Sequence, residues 1–124
     1  MKRVLIVEDD DHLRRVVKTL LEAEGFSVEE AADGLAGLEA AVSRPPDCIL
    51  TDTLMPRLGG LDMLARLAKE GGGAPAILVS AVHELPPREE LERLRVREVF
   101  SKPFAFDGLV EAVRRIVEGE DSKR

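Results

Sequence analysis

Five short apolar runs punctuate the chain: "RVLIV" (3–7), "FSVEEA" (26–31), "DCILT" (47–51), "PAILVS" (75–80) and "EVFS" (98–101). Between them the apolar period lengthens to that of a helix. Leu13, Val16, Val17, Leu20 and Leu21 share one helix face, with acids before them and Gly25 as the stop. Leu35, Leu38 and Val42 follow Asp33, a suitable N-cap. Leu61, Leu64, Ala65 and Ala68 make a third stripe, ended by Gly71-Gly72-Gly73. Leu109, Val113, Ile116 and Val117 make the last. The fourth helical stretch, "PPREELERLR", offers only Leu91 and Leu94 between charges and is expected to dock least firmly.

Strict alternation of strand and helix predicts an α/β domain whose parallel sheet is covered on both faces. Runs one, three and four are apolar throughout, as central strands should be, whereas run two carries Glu29 and Glu30 and reads as an edge. That pattern fits a flavodoxin-like, doubly wound, five-stranded sheet of order 2-1-3-4-5 with five helices. One domain is expected over residues 1–118, followed by a frayed tail, "GEDSKR", at 119–124.

Composition narrows the function. With 124 residues, 44 % hydrophobic and 34 % charged, the chain has length and apolar content for one real core. No apolar run has the length of a membrane span, and "MKRVLIVEDD" meets acids too early for a signal peptide. A net charge of −6 with no basic stripe argues against a direct nucleic-acid surface. Cys48 is the only cysteine, so no internal disulfide can form and a cytoplasmic location is expected. Within "DCIL" it reads as a buried structural thiol. His12 and His83 have no neighbouring Cys or His to make a metal site.

The chemistry gathers where the strands end, because parallel strands bring their following residues to one sheet edge. After run one come Glu8, Asp9, Asp10 and Asp11; after run three, Asp52; closing run four, Ser80; after run five, Lys102. Asp10 and Asp11 suit the cap and first turn of the first helix. Each of the others, taken singly, could be an ordinary cap or loop residue. Jointly they place several carboxylates beside one hydroxyl and one ammonium. Like charges so close are unfavourable unless protons or a cation intervene, and a hard divalent ion such as Mg²⁺ takes oxygen ligands of this kind.

These pieces resemble a receiver domain of a two-component response regulator, of the chemotaxis-type stand-alone kind. The likeness covers about residues 2–118 and rests on "VLIVED" with Arg14, "DTLMPRLGG", "ILVSA" and "SKPF", together with the spacings from Asp52 to Gly60 and from Ser80 to Lys102. It implies that Asp52 accepts a phosphoryl group, that Ser80 hydrogen-bonds a phosphoryl oxygen and that Lys102 pairs with another. It implies Mg²⁺, with Mn²⁺ as a substitute, on Asp9, Asp52, the Leu54 backbone carbonyl and, through water, Glu8. Implied partners are a histidine kinase or histidine phosphotransfer protein and a downstream protein. The latter is reached through the fourth helix, fifth strand and fifth helix, where Arg88, Glu89, Glu92, Arg93, Arg114 and Arg115 mix both signs of charge. Such a domain is a switch, not a turnover enzyme on an external substrate. A cis Lys102-Pro103 peptide is also expected.

Three departures from the family pattern stand out. Val99 occupies the usual aromatic position, with Phe100 next to it as a core residue. Gly59 replaces a frequent acid, and Arg95-Val96 replaces a Gly-Ala pair. Leu54 and Val82, at positions that tune dephosphorylation in receivers, carry no polar group, which predicts slow loss of the phosphoryl group.

The chain could be a receiver excised from a larger response regulator. A haloacid-dehalogenase-type phosphatase also uses a strand-end Asp, but needs a second acid where this chain has Leu54. A flavodoxin-type carrier needs a hydroxyl-rich phosphate loop after the first strand and aromatics around the flavin. Here that loop is acidic, and Trp and Tyr are absent.

Overall fold

The alternation of strand and helix is carried through in full. The computed structural model describes residues 1–71, 73–81 and 85–119. In chain order the elements are β1 (Arg3–Val7), α1 (Asp11–Ala23), β2 (Ser27–Ala31), α2 (Gly34–Ser43), β3 (Cys48–Asp52), α3 (Gly60–Lys69), β4 (Ala76–Ser80), α4 (Arg88–Arg93), β5 (Val96–Ser101) and α5 (Phe106–Val117). All five strands are parallel, in the order β2-β1-β3-β4-β5. β3 and β4 are buried along their whole length and β1 from Val4 onward, as their unbroken apolar runs require. β2 is only half-buried, and the two acids that mark it as an edge are paired: Glu29 with Arg3, Glu30 with Arg14 and Lys18.

Side-chain alternation along the strands divides the interior into two cores. Val4, Ile6, Leu50, Ile77 and Val79 face α1 and α5, where they meet Val17, Leu21, Leu109 and Val113. Leu5, Val7, Ile49 and Leu78 face the other way, against Met63, Leu64 and Leu67 of α3 and Leu94 beyond α4. Each such side chain stabilises the fold by roughly 1.5–3 kcal/mol relative to leaving it in water.

Some details differ from the apolar pattern. α2 approaches the sheet through Gly34, Gly37 and Ala41, so Leu35 and Leu38 are half-buried and Val42 is 51 % exposed. A Cβ at Gly34 would lie 2.0 Å from the Leu58 carbonyl oxygen, which shows how closely the backbones meet. α3 is turned so that its longest apolar side chains, Met63, Leu64 and Leu67, reach the sheet, while Ala68 is exposed. β3 includes Asp52 as its last residue, and β5 begins two residues earlier than its apolar run.

Asp10 and Asp33 cap α1 and α2 as expected, accepting from the backbone N–H groups of Leu13 and Ala36. Cys48 is fully buried, and burial pushes its thiol up to about 12, leaving it inert at neutral pH. The Lys102-Pro103 peptide is cis. Phe100 packs into the α5-side core while Val99 is 38 % exposed. Among the described residues no helix is long and apolar enough to cross a membrane. Val82, His83 and the tail from residue 120 onward lie outside the described residues.

Candidate functional site

Glu8 is the first residue beyond β1, and its N–H extends the ladder to the Ala31 carbonyl at 3.0 Å. That bond fixes its backbone and drives its side chain into the sheet edge, where it is 5 % exposed. Asp9, one residue on, is exposed. Asp52 closes β3 at 9 % exposure. Its Oδ1 accepts from the Thr53 N–H at 2.6 Å and, more weakly, from the Leu54 N–H at 3.4 Å. Lys102 continues β5 with its N–H on the Ser80 carbonyl at 2.9 Å, so its side chain reaches back over the same edge. Its Nζ donates to Asp52 Oδ2 at 2.8 Å and to Glu8 Oε1 at 3.2 Å.

The titration of these groups follows from their neighbours. Burial raises the Glu8 pKa above the ordinary glutamate value, and the nearby Asp52 charge adds to this. The Asp10 N–H and Lys102 pull it back without cancelling the rise. For Lys102, burial alone would lower the value, but hydrogen bonds to Asp52 and Glu8 outweigh it and keep the ammonium charged.

One carboxylate oxygen from each of Glu8, Asp9 and Asp52 can be chosen so that all lie within 4.8 Å of one another. Such an all-oxygen set, with one acid open to solvent, fits a hard divalent cation that retains several waters. Leu54 follows with its side chain 70 % exposed. The turn beyond it is closed by Gly60, whose N–H donates to the Thr53 carbonyl at 2.9 Å. A Cβ on Gly60 would lie 1.9 Å from the Asp52 carbonyl oxygen, so only glycine permits this approach.

Two contributors were not assigned a role from the sequence. Arg14 is 7 % exposed and donates to the Glu8 carbonyl at 2.6 Å, to Asp11 at 2.7 Å and to Glu30 at 2.9 Å. It thereby ties the acidic turn to α1 and to the edge strand. Thr53, 6 % exposed, shares a 2.6 Å hydroxyl–hydroxyl hydrogen bond with Ser80, itself 1 % exposed. The sequence carries no signal for Thr53; the register of the folded strands brings it to Ser80, because Asp52 pairs with Val79 and the next residues along are Thr53 and Ser80.

The surface assigned to a downstream partner is less free than its charges suggest. Arg114 pairs with Glu24 and Glu111, Arg115 with Glu98, and Arg93 with Glu90.

The carboxyl edge of the central strands of this doubly wound sheet thus gathers acids, hydroxyls and one lysine. Residues 4–114 match the response regulator receiver domain model, and the chain belongs to that family. Among curated relatives, it is 32 % identical over 97 % of its length to the uncharacterized transcriptional regulatory protein YkoG of Bacillus subtilis, covering 53 % of that protein. It is 31 % identical over 97 % of its length to the response regulator MprA of a Mycobacterium species, covering 55 % of it. The chain thus spans about half the length of these curated relatives. Among solved structures, the N-terminal domain of an uncharacterized Wolinella succinogenes protein superposes with a TM-score of 0.88 at 31 % identity, each chain fully covered. The Thermotoga maritima response regulator TrrA, solved in complex with Mg²⁺-BeF, gives 0.80 at 31 % identity, with 94 % of this chain and 99 % of that one covered. Receiver domains act in two-component signalling and are not turnover enzymes on external substrates.

Proposed function

We propose that this receiver is a phosphorylation switch in which Asp52 accepts a phosphoryl group from a histidine kinase, a histidine phosphotransfer protein or a small phosphodonor. An Asp52 carboxylate oxygen forms the new bond to phosphorus, and the bond from phosphorus to the donor breaks with its electron pair leaving on the donor. The product is a mixed acyl phosphate, reactive enough to be reversed. What supports this most directly is the position of Asp52, held at the end of β3 between the Lys102 ammonium and the Glu8–Asp9 pair.

Asp9 and Asp52, the Leu54 carbonyl and, through water, Glu8 would hold Mg²⁺, with Mn²⁺ as a substitute. Bound there, the ion supplies positive charge that offsets the charge of the transferring group. Lys102 pairs with one phosphoryl oxygen, and the Ser80 hydroxyl donates to another. The changed state is relayed through α4, β5 and α5 to a protein partner in the cytoplasm, or to further parts of a larger response regulator.

Acetyl phosphate with Mg²⁺ should add one phosphoryl group by intact mass, and chelation or Asp52→Ala should abolish the addition. Equal labelling of the Asp52→Ala protein would overturn the assignment. Leu54 has no polar group to hold a hydrolytic water, so decay is expected to be slow and Leu54→Asn faster. Phosphoryl loss after donor removal, at matched Mg²⁺ and temperature, measures this; equal rates would defeat it.

A further inference from the structure

The Ser80 hydroxyl is engaged in the structure, and one residue it meets, Thr53, is accounted for by neither the acids nor the lysine. Asp52 pairs in register with Val79, and side chains alternate along parallel strands, so Thr53 and Ser80 face the same side of the sheet, opposite to Asp52. On that side their hydroxyls meet at 2.6 Å, with both residues buried. Thr53 is itself held from both ends. Its N–H donates to Asp52 Oδ1 at 2.6 Å, and its carbonyl accepts from Gly60 at 2.9 Å. It is therefore a fixed post against which the Ser80 side chain is tethered.

We infer that Thr53 is a positioning residue that restrains the switch, tethering the Ser80 hydroxyl away from Asp52 in the unmodified protein. This rests on the proposed role of Asp52 and Ser80. To reach a phosphoryl oxygen on Asp52, Ser80 must leave Thr53. The Thr53 hydroxyl is then buried without the one partner it has among the described residues. Both consequences oppose activation: a hydrogen bond is lost, and a polar group is stranded in a dry site. A change of one residue at this position sets how strongly the resting state is held, without touching the phosphoryl chemistry.

The test is binding of beryllium fluoride with Mg²⁺, a stand-in for the phosphoryl group, measured by isothermal titration calorimetry. Thr53→Val keeps the side-chain shape and removes the hydroxyl, and should bind the probe about fivefold tighter than the wild type. Thr53→Ser, which retains the hydroxyl, should bind as the wild type does. In a Ser80→Ala background Thr53→Val should make no difference, because the tether is already gone. A purely structural role for Thr53 would not produce that dependence on Ser80. If Thr53→Val does not fold, Thr53→Ala carries the same expectation, since it also lacks the hydroxyl. Wild-type binding with equal or weaker binding by the hydroxyl-free variant overturns the restraint alone. Absence of binding by the wild type overturns the reading of Asp52 and the restraint with it.

Discussion

Arg14 shows how one side chain can hold a site together without entering its chemistry. Its three nitrogens serve a backbone carbonyl, an exposed acid and a half-buried acid, and an ammonium cannot reproduce that fork. Arg14→Met should lower the unfolding free energy by about 2 kcal/mol, chiefly by orphaning the Glu8 carbonyl, and Arg14→Lys should recover only part of it. Urea denaturation measures both. The Glu30 partner adds a pH dependence. Burial would raise its pKa, but hydrogen bonds from Arg14 and Lys18 outweigh this and hold it below the ordinary value. A depressed folded value means that the stability it contributes is present above the unfolded glutamate value and is lost as pH falls through the folded one. The difference in stability between wild type and Glu30→Gln should therefore shrink on acidification, and a difference constant with pH would count against the pairing. At this scale the acids and Lys102 were legible because a polar residue just past an apolar run has few reasons to be there. Thr53 was not, because its importance arises from the register of two strands joined through α3.

At the helix exits the backbone conformation outlasts the residue type usually found there. α1 and α3 are left through Gly25 and Gly71, in left-handed conformations with φ of +97° and +79°. α4 leaves through Arg95, which adopts φ of +64° although it carries a side chain. The sequence departs from the family at this point, yet the backbone keeps the turn that a glycine would have made. The left-handed conformation costs roughly 1 kcal/mol for a residue with a Cβ, part of which glycine gives back through its greater freedom when unfolded. Arg95→Gly should thus stabilise the domain by about 0.5 kcal/mol, read as a higher urea midpoint at unchanged slope. A lower midpoint would mean that the Arg95 side chain contributes more than its backbone costs. Element type and order could be read from periodicity alone, whereas the face of α2 could not. An apolar count favours Leu35, Leu38 and Val42, but the short side chains of Gly34, Gly37 and Ala41 let that helix approach the backbone of its neighbours.

Across the whole molecule, the firm and yielding parts are unequally distributed around the sheet. α1 and α5 press Val17, Leu21, Leu109, Val113 and Ile116 into one core, and α3 presses Met63, Leu64 and Leu67 into the other. α4 has six residues, none of them buried, and no side chain caps its start. Its hold on the sheet comes from half-buried Leu91 and from Leu94 just past its end, beside a shallow groove shared with β5. Local opening free energy follows buried apolar contact, so α4 should be the first helix to open. It also stands next to β5, which leads directly into Lys102, so in the proposed switch a change at Asp52 has a short packed path to α4. Amide hydrogen exchange should find α4 the least protected helix in the unmodified protein. Addition of beryllium fluoride and Mg²⁺ should change protection there more than in α1 or α2. Protection of α4 equal to that of α1, in both states, would remove the physical basis for treating α4 as the element that responds.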